Sequence, residues 1–367
     1  MSVSDFTFKG GEKCMLGFSI YLNLDLTADD YNYLLAMRNA GLTTIFTSLH
    51  IPEDDPKIIV RRLTELTKWC KNLETDIIAD VSESGMARLG LSLENEEQVE
   101  SLGLTGLRID DGVSATIIAK LSQKRPIALN ASTINEDDIT DLREHGANFE
   151  NLQAWHNFYP RPETGLDSNW LKEKNDWLHH MNLETMAFVA GDAVLRGPIH
   201  AGLPTLEKQR GKNPLAAMLE LKHLGCDHVF IGDACLSAQM IDSFKNYTKK
   251  KIITLHVKEK IPKLFQYEWH NRPDVARDVV RLNEGRSRQL FDVAPRESPK
   301  SRTKGTITCD NTKYLRYQGE LQIAKRDLPS DSKVNILGHV AAYDLPLLDQ
   351  IGSGQKIIFE PVTNKLE

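Results

Sequence analysis

Residues 106–130 read GLRIDDGVSATIIAKLSQKRPIALN, and their pattern decides the fold class. The apolar runs Gly106–Asp110 and Pro126–Asn130 predict two buried strands, and the apolar spacing of Ser114–Leu121 predicts an amphipathic helix between them. A strand, a helix and a second strand in this order form a βαβ unit, in which the two strands are parallel. The same pattern recurs along residues 14–250 and predicts eight parallel strands, the number that closes a TIM barrel.

The other units repeat this rhythm of a short apolar run and a longer amphipathic segment. The remaining predicted strands are Cys14–Tyr21, Thr43–Ser48, Thr75–Val81, Asn151–Trp155, Thr185–Ala190 and His228–Gly232. The remaining predicted helices are Ala28–Ala40, Pro56–Asn72, Glu94–Leu102, Asp137–His145, Ser168–Met181, Pro214–Leu224 and Ser237–Lys249. An open doubly wound sheet is the alternative, but no GxGxxG motif follows the first strand, so the usual dinucleotide site is not indicated.

The rhythm changes after about residue 250, where short strand patterns alternate with Pro, Gly, Asp and Ser. The predicted strands here are Lys251–Val257, Gly305–Thr308, Glu320–Ala324, Asn335–Val340 and Lys356–Phe359, and the one predicted helix is Ala276–Leu282. We therefore expect an α/β protein of two domains, a TIM barrel over residues 1–250 and a small β-rich domain over residues 251–367.

Composition excludes several classes of protein. With 41% hydrophobic and 26% charged residues in a chain of 367, disordered, collagen-like and coiled-coil proteins are excluded. No apolar run reaches the roughly 20 residues of a membrane span, and Met1–Glu12 is too polar for a signal peptide, so we expect a cytoplasmic protein without a membrane partner. The five cysteines include no CxxC pair, and no His, Asp or Glu set has metal-ligand spacing. We therefore expect no disulfide framework, no metal and no other cofactor.

The two halves of the chain differ in charge. Residues 1–250 hold 25 basic and 36 acidic side chains, a balance of −11, whereas residues 251–367 hold 20 and 15, a balance of +5. The basic residues are scattered among acidic ones without an aromatic-interleaved stripe, so we expect no nucleic-acid partner. We expect the small domain to lie against the mouth of the barrel and to lend polar groups such as Arg296. An oligomerisation role for this domain is the alternative, and a homodimer stays open.

In a TIM barrel the active site lies at the carboxyl ends of the strands. Polar side chains collect at these positions, and we assign the catalytic role to three of them, Asp80, Asp110 and Glu207, because carboxylates perform acid–base chemistry on glycosidic bonds. Amides suit sugar hydroxyl groups, aromatic rings suit the flat faces of sugars, and arginines suit carboxylate or phosphate groups. We assign substrate binding to Asn130, His156, Asn157, Tyr159, Arg161, Arg196, Arg210 and Arg296. The mixture indicates an anionic sugar as substrate.

Some strand-end residues also have a structural interpretation. Asp111 and Asp233 lie where an N-cap of the next helix is expected. Glu207 and Arg210 are three residues apart, so they can pair with each other on a helical turn. Glu163 and Asp233 are the next catalytic candidates if the three assigned carboxylates are not catalytic.

Four loop segments together resemble one family. They are TSLHIPEDD at residues 47–55, HNFYPRPETGL at 156–166, RGP at 196–198 with GLPTLE at 202–207, and YQGELQI at 317–323. They resemble the domain-of-unknown-function 871 proteins, which include the bacterial 6-phospho-N-acetylmuramidases, over essentially the whole chain. The resemblance implies a TIM barrel followed by a cyclophilin-like β domain. It also implies cytoplasmic hydrolysis of the β-1,4 bond of N-acetylmuramic acid 6-phosphate–N-acetylglucosamine, in peptidoglycan recycling.

For this phosphorylated amino-sugar disaccharide, we expect Arg210 and His156 to hold an anionic group, phosphate by preference. Two other classes of function stay open, a non-catalytic protein that binds phosphosugars or cell-wall fragments and a lyase or isomerase for a phosphosugar. A catalytic lysine or a metal set at a strand end would favour the lyase or isomerase, and neither is visible. The resemblance leaves open whether the mechanism is retaining, inverting or assisted by the acetamido group of the substrate.

Overall fold

Eight parallel strands close into a barrel in chain order, because each strand pairs with the next and the eighth pairs with the first. The structure is a computed structural model that describes residues 15–49, 55–110, 112–296 and 301–362. The barrel strands are β1 (Leu16–Ser19), β2 (Thr44–Ser48), β3 (Asp76–Val81), β4 (Gly106–Ile109), β5 (Ile127–Asn130), β6 (Leu152–Trp155), β7 (Glu184–Val189) and β8 (His228–Ile231). The predicted TIM barrel is thereby confirmed.

Helices connect these strands, and polar caps explain where several of them begin. They are α1 (Ala28–Asn39), α2 (Pro56–Asn72), α3 (Glu83–Arg88), α4 (Glu96–Ser101), α5 (Ala115–Ser122), α6 (Glu136–Glu144), α7 (Ser168–His180), α8 (Pro214–His223) and α9 (Ala238–Lys250). Ser114 caps α5, and Asn135 forms a reciprocal capping box with Asp138 at the start of α6. Short 3₁₀ helices lie at Phe149–Asn151 and Glu207–Gln209. The helix α3 has no counterpart among the predicted helices.

Apolar side chains fill the interior of the barrel. The cluster consists of Phe46, Ile78, Ala128, Trp155, Met186, Phe188 and Phe230. Gly17 is required by this packing, since a Cβ atom there would lie 2.3 Å from the ring of Phe230. Successive residues of a strand point to opposite faces. Residues two positions beyond a core residue therefore also point inward, and they line the mouth at the carboxyl ends of the strands.

The remaining strands form two further sheets. They are β9 (Ile252–Val257), β10 (Trp269–His270), β11 (Val279–Leu282), β12 (Thr306–Asp310), β13 (Leu321–Ala324), β14 (Val334–His339) and β15 (Lys356–Pro361). One sheet has the order β10-β15-β9, and the other, which is antiparallel, has the order β11-β13-β12-β14. Two one-turn helices, α10 (Pro262–Phe265) and α11 (Gly285–Arg288), and 3₁₀ segments at Thr312–Tyr317 and Ala342–Gln350 complete this part. Its predicted β-rich character is confirmed.

The helix predicted over Ala276–Leu282 is wrong, because Val279–Leu282 forms the strand β11. Val280 and Leu282 are buried, whereas Val279 and Arg281 are half-buried, which is the two-residue period of a strand. Arg281 and its neighbours pair with β13, so the sheet overrides the local pattern that suggested a helix.

Contacts between residues divide the chain into two compact units. The first comprises Met1–Pro214 with Met218–Ile241, and the second comprises Leu215–Ala217 with Asp242–Glu367. Within the described part of the chain, every helix is too short or too polar to span a membrane.

Candidate active site

The alternation of side chains brings polar groups of neighbouring strands to the inside of the barrel mouth. Asp80 lies two residues beyond the core residue Ile78, and the strand register places it beside Arg108. The backbone N–H of Asp110 donates to the carbonyl of Val81 at 2.9 Å, so the pairing of β3 and β4 continues to this residue. Asp110 therefore points to the same side as Arg108, two residues before it. All three side chains belong to one end of the barrel interior.

A hydrogen-bond network crosses the inside of the mouth. Nη1 of Arg108 donates to Oδ1 of Asp80 at 2.5 Å, and Nη2 donates to Oδ1 of Asn157. Asn157 follows β6, which does not pair with β4, so the Arg108 side chain spans the barrel instead of a single strand pair. The side chains of Arg108 and Asp80 are only 5% and 16% exposed. The guanidinium stabilises the charged form of the Asp80 carboxyl group.

The carboxylate of Asp110 differs from that of Asp80 in its contacts. It is half-buried, and its side chain makes no hydrogen bond or ion pair with any residue in the described ranges. A carboxylate that no guanidinium neutralises and no amide saturates is available to a ligand. This is the property required of a group that exchanges a proton with a substrate.

Two amides and a phenol lie at or just beyond the carboxyl ends of β5 and β6. Oδ1 of Asn130 accepts a hydrogen bond of 3.1 Å from the backbone N–H of Ser132, which orients the amide. The hydroxyl groups of Ser132 and Tyr159 lie 3.4 Å apart. Asn130, Asn157 and Tyr159 are half-buried, so each retains polar surface at the mouth. Such groups can donate to and accept from sugar hydroxyl groups.

The guanidinium of Arg210, which the sequence assigns to anion binding, is held by hydrogen bonds within the protein. Nε and Nη2 of Arg210 donate to the two carboxylate oxygens of Glu207, both at 2.7 Å. Nη1 donates to the carbonyls of Ala201 and Gly202, and Nη2 also donates to the carbonyl of Tyr159 at 2.9 Å. Each guanidinium nitrogen is therefore already engaged. Arg210 joins the loop after β6 to the loop after β7.

Glu207, which the sequence assigns to catalysis, is held by the same contact. The hydrogen bonds from Arg210, as the largest cause, lower the pKa of Glu207 to about 2. Oε2 of Glu207 also accepts a hydrogen bond of 2.8 Å from the backbone N–H of Gly165. A Cβ atom at Gly165 would lie 2.6 Å from the Glu207 nitrogen, so this close approach requires glycine. A carboxyl group with so low a pKa holds no proton to donate at neutral pH.

His156, which the sequence assigns to substrate binding, points away from the mouth. Trp155 points into the core, so His156 points to the opposite face of β6. Its Nε2 lies 2.8 Å from Oδ1 of Asn175 on α7, and the residue is fully buried. Burial lowers the pKa of His156 to about 4, so the ring is neutral at pH 7. His156 connects a barrel strand to the helical layer.

Asp233 organises the loop that follows β7. Oδ2 of Asp233 accepts from the backbone N–H groups of Gly191 and Leu203, and Oδ1 accepts from the backbone N–H of Arg196, all at 2.9 Å. The residue is 0% exposed. Asp233 thus binds the backbone of the neighbouring loop, which differs from the expected N-cap of the following helix and leaves little capacity for catalysis.

Arg196 is held above an aromatic platform at the mouth. Its guanidinium carbon lies 3.6 Å from the ring centre of Tyr21 and 6.0 Å from that of Phe158. The Tyr21 hydroxyl donates to the carbonyl of Gly232 at 2.5 Å, and burial raises the pKa of Tyr21 to about 12. Tyr21 therefore stays protonated and fixed to the end of β8.

Three further candidate residues are exposed. Arg161 and Glu163 are exposed in the loop after β6. Arg296 is exposed and belongs to the second unit, where its backbone N–H donates to Asn335. Asp111 lies outside the described residues.

Sequence reasoning missed two residues of this site, Arg108 and Tyr21. Arg108 lies inside a predicted buried strand, and a buried guanidinium requires a carboxylate partner. Its position in the sequence therefore indicates a charged network inside the barrel. Tyr21 gave no comparable signal, because an aromatic residue at a strand end is usually part of the core. As for metals, residues 15–49, 55–110, 112–296 and 301–362 contain no group of three or more His, Cys, Asp or Glu arranged to hold an ion.

Comparison with known proteins places this barrel in a family. Residues 16–246 match the family model described as 6-phospho-N-acetylmuramidase, N-terminal, and residues 250–360 match the corresponding C-terminal model. A crystal structure of a protein of unknown function from Enterococcus faecalis is 39% identical, with a TM-score of 0.87 over 95% of this chain and 96% of that chain. An uncharacterized protein from B. cereus is 25% identical, with a TM-score of 0.73 over 95% and 99%. No curated protein matches. The resemblance inferred from the loop motifs is confirmed, and the chain belongs to the 6-phospho-N-acetylmuramidase family.

Proposed function

We propose that the barrel hydrolyses the β-1,4 bond between N-acetylmuramic acid 6-phosphate and N-acetylglucosamine. The observation that carries this proposal is a barrel mouth with two carboxylates in a chain of this family: Asp80 pairs with Arg108, and Asp110 pairs with no residue that the structure describes. Two acidic groups in different environments are what glycoside hydrolysis requires.

Asp110 is the general acid in this proposal. The bond to the leaving oxygen breaks as a carboxyl group donates its proton to that oxygen. Asp110 suits this step because its side chain forms no ion pair with a described residue and is open to a ligand. After N-acetylglucosamine departs, the resulting carboxylate can remove a proton from the attacking water.

Asp80 is the group that stays ionised. Its contact with Arg108 favours the negative charge, and that charge can stabilise the positive charge that develops at carbon 1 of the sugar. Asp80 acts either as the nucleophile or as the group that orients the substrate acetamide, in which case the acetamide oxygen attacks carbon 1. Asn157 holds Arg108 from the opposite side and keeps the pair in place.

The half-buried amides and rings supply the sugar contacts. Asn130 and Tyr159 present hydrogen-bonding groups, and Phe158 adds an apolar surface that packs on Phe46 and Phe188. A phosphorylated disaccharide carries permanent negative charge, which prevents it from crossing a membrane unaided. We therefore propose that the enzyme acts in the cytoplasm, on fragments returned during peptidoglycan recycling.

The test is incubation with the phosphodisaccharide followed by mass analysis of the products. We expect N-acetylmuramic acid 6-phosphate and N-acetylglucosamine, with one water added. Asp110→Asn should lower kcat at least about a hundredfold. The matched control is Asp29→Asn, on the exposed first turn of α1, which should leave kcat unchanged.

Three results contradict the proposal. Tight binding without cleavage would indicate a binding protein. A product lacking the added water would indicate a lyase or isomerase. Cleavage that survives both Asp110→Asn and Asp80→Asn would place the chemistry on other residues.

A further inference from the structure

Three arginines at the barrel mouth differ in how much of the guanidinium is already used. Arg108 donates to Asp80 and Asn157, and it is buried. The donors of Arg210 are all engaged by Glu207 and backbone carbonyls. Arg196 differs, because its guanidinium forms no ion pair with a carboxylate of any residue the structure describes. Its charge is available to a ligand.

The backbone of Arg196 is held in place before any ligand arrives. Its N–H donates to Oδ1 of Asp233 at 2.9 Å, and its carbonyl accepts from the N–H of His200 at 3.2 Å. The other carboxylate oxygen of Asp233 binds Gly191 and Leu203 in the same loop. The fully buried Asp233 thus holds the segment that carries Arg196, although the loop has no regular secondary structure there.

The side chain of Arg196 is positioned as well. The ring of Tyr21, 3.6 Å from the guanidinium carbon, supports one face of the cation, and Phe158 stands at 6.0 Å. Tyr21 cannot swing away without losing its hydrogen bond to the carbonyl of Gly232. Stacking on an aromatic ring uses the face of a guanidinium and leaves its N–H edges free. Those edges match two oxygens of a phosphate group.

We propose that Arg196, supported by Tyr21, binds the 6-phosphate of the substrate and makes the enzyme selective for phosphorylated sugars. The identity of the ligand rests on the proposed function, whereas the site itself rests on the geometry of Arg196. The substrate has a second oxyanion, the carboxylate of its lactyl group, which a guanidinium also fits. Phosphate is favoured because a monoester carries up to two negative charges and gains more from a fixed cation.

Titration calorimetry with three monosaccharides distinguishes the 6-phosphate from the lactyl carboxylate as the group that Arg196 binds. They are N-acetylmuramic acid 6-phosphate, N-acetylmuramic acid without phosphate, and N-acetylglucosamine 6-phosphate, which lacks the lactyl group. In Arg196→Ala, the Kd of both phosphorylated sugars should rise at least about tenfold. The Kd of the unphosphorylated sugar should change by less than about twofold. Arg196→Lys should fall between the wild type and Arg196→Ala, since a lysine keeps the charge and loses the paired donors.

Arg143→Ala, at an exposed position on α6, is the matched control and should bind all three ligands like the wild type. The inference is overturned if Arg196→Ala binds the phosphorylated sugars normally, or if the wild type binds neither of them. It is also overturned if affinity falls for the two lactyl sugars and not for N-acetylglucosamine 6-phosphate. Phosphate-dependent binding without hydrolysis of the disaccharide would refute the proposed function and leave this site standing. Hydrolysis of the disaccharide without a phosphate-specific change of Kd in Arg196→Ala would support the proposed function and refute this site.

Discussion

Nη1 of Arg108 lies 2.5 Å from Oδ1 of Asp80 inside the barrel mouth, and both side chains are withdrawn from solvent. This pair distinguishes Asp80 from Asp110, which directly follows the next strand, β4, and has no such partner among the residues that the structure describes. Neighbouring carboxylates in different environments are suited to different roles in one reaction. These contacts, together with those of Glu207 and His156, lead to five predictions.

Removal of the Arg108 guanidinium should destabilise the fold. Arg108→Met should lower the free energy of unfolding by about 3 kcal/mol, because it removes the cation that compensates a largely buried carboxylate. The double variant Arg108→Met with Asp80→Asn should lose less than the sum of the single variants. Urea unfolding of all four proteins gives this coupling energy. Lys172→Met, at the exposed pair with Asp176, is the control and should cost less than about 0.5 kcal/mol. Strict additivity of Arg108 and Asp80 would argue against the pair.

The role of Asp110 as acid predicts a dependence on the leaving group. Asp110→Asn should lower kcat at least about a hundredfold on the disaccharide. The loss of kcat/KM, which reports cleavage of the bond to the leaving group, should be much smaller on the 4-nitrophenyl glycoside of N-acetylmuramic acid 6-phosphate, whose leaving group needs no protonation. Asp80→Asn should lower kcat/KM on both substrates to a similar extent. Steady-state kinetics with the two substrates measures this contrast, and equal losses of kcat/KM for Asp110→Asn would exclude it as the acid.

Glu207 should matter for stability and little for chemistry. Glu207→Gln should lower the free energy of unfolding by about 1–3 kcal/mol, because it weakens charge-assisted hydrogen bonds with Arg210. At temperatures where the variant is folded, kcat should stay within about tenfold of the wild type, below the range of lost acid–base catalysis. Thermal melts and kinetics together test this prediction. Glu173→Gln, exposed on α7, is the control. A hundredfold loss of kcat in folded Glu207→Gln would restore the catalytic assignment.

The ion pair between Glu207 and Arg210 should make the free energy of unfolding depend on pH. The pKa of Glu207 is about 2 in the folded protein against an ordinary value of 4.5, so its ionised form stabilises the fold above pH 4.5. This contribution is lost as the pH falls from 4.5 towards 2. The stability difference between the wild type and Glu207→Gln should shrink over that window, and a constant difference would contradict the lowered pKa.

His156 should make the protein sensitive to mild acid. Its pKa is about 4 when folded and 6.5 as the ordinary value, so the unfolded chain takes up a proton first as the pH falls. The contribution of His156 to the free energy of unfolding should therefore be constant above pH 6.5. It should decline between pH 6.5 and 4, by up to about 1.4 kcal/mol per pH unit. His156→Gln should remove this part of the slope. Urea unfolding between pH 4 and 7 measures it, and identical slopes would show that His156 titrates normally.

The sequence alone determined the architecture of the barrel and indicated where the candidate site lies. Buried parallel strands appear in the sequence as short apolar runs, whereas amphipathic helices have apolar residues at the helical spacing of three to four. The eight units could therefore be recognised from local sequence. The rule that barrel sites lie at the carboxyl ends of strands then selected Asp80, Asp110 and Asn130. The four-residue strand β11 was misread because a short apolar segment fits either period.

Only the tertiary structure decided which of the selected groups are free to act. Glu207 and Arg210 have the residue types of a catalytic site, yet they use their charges on each other and on the backbone. His156 follows a strand end, but the inward position of Trp155 turns it away from the mouth. Residues 49 positions apart, Arg108 and Asn157, share one hydrogen bond, and Asp233 binds amides up to 42 positions away. These side chains meet only when the barrel closes. Local sequence therefore does not show which hydrogen-bond donors and acceptors pair with each other and which remain unsatisfied.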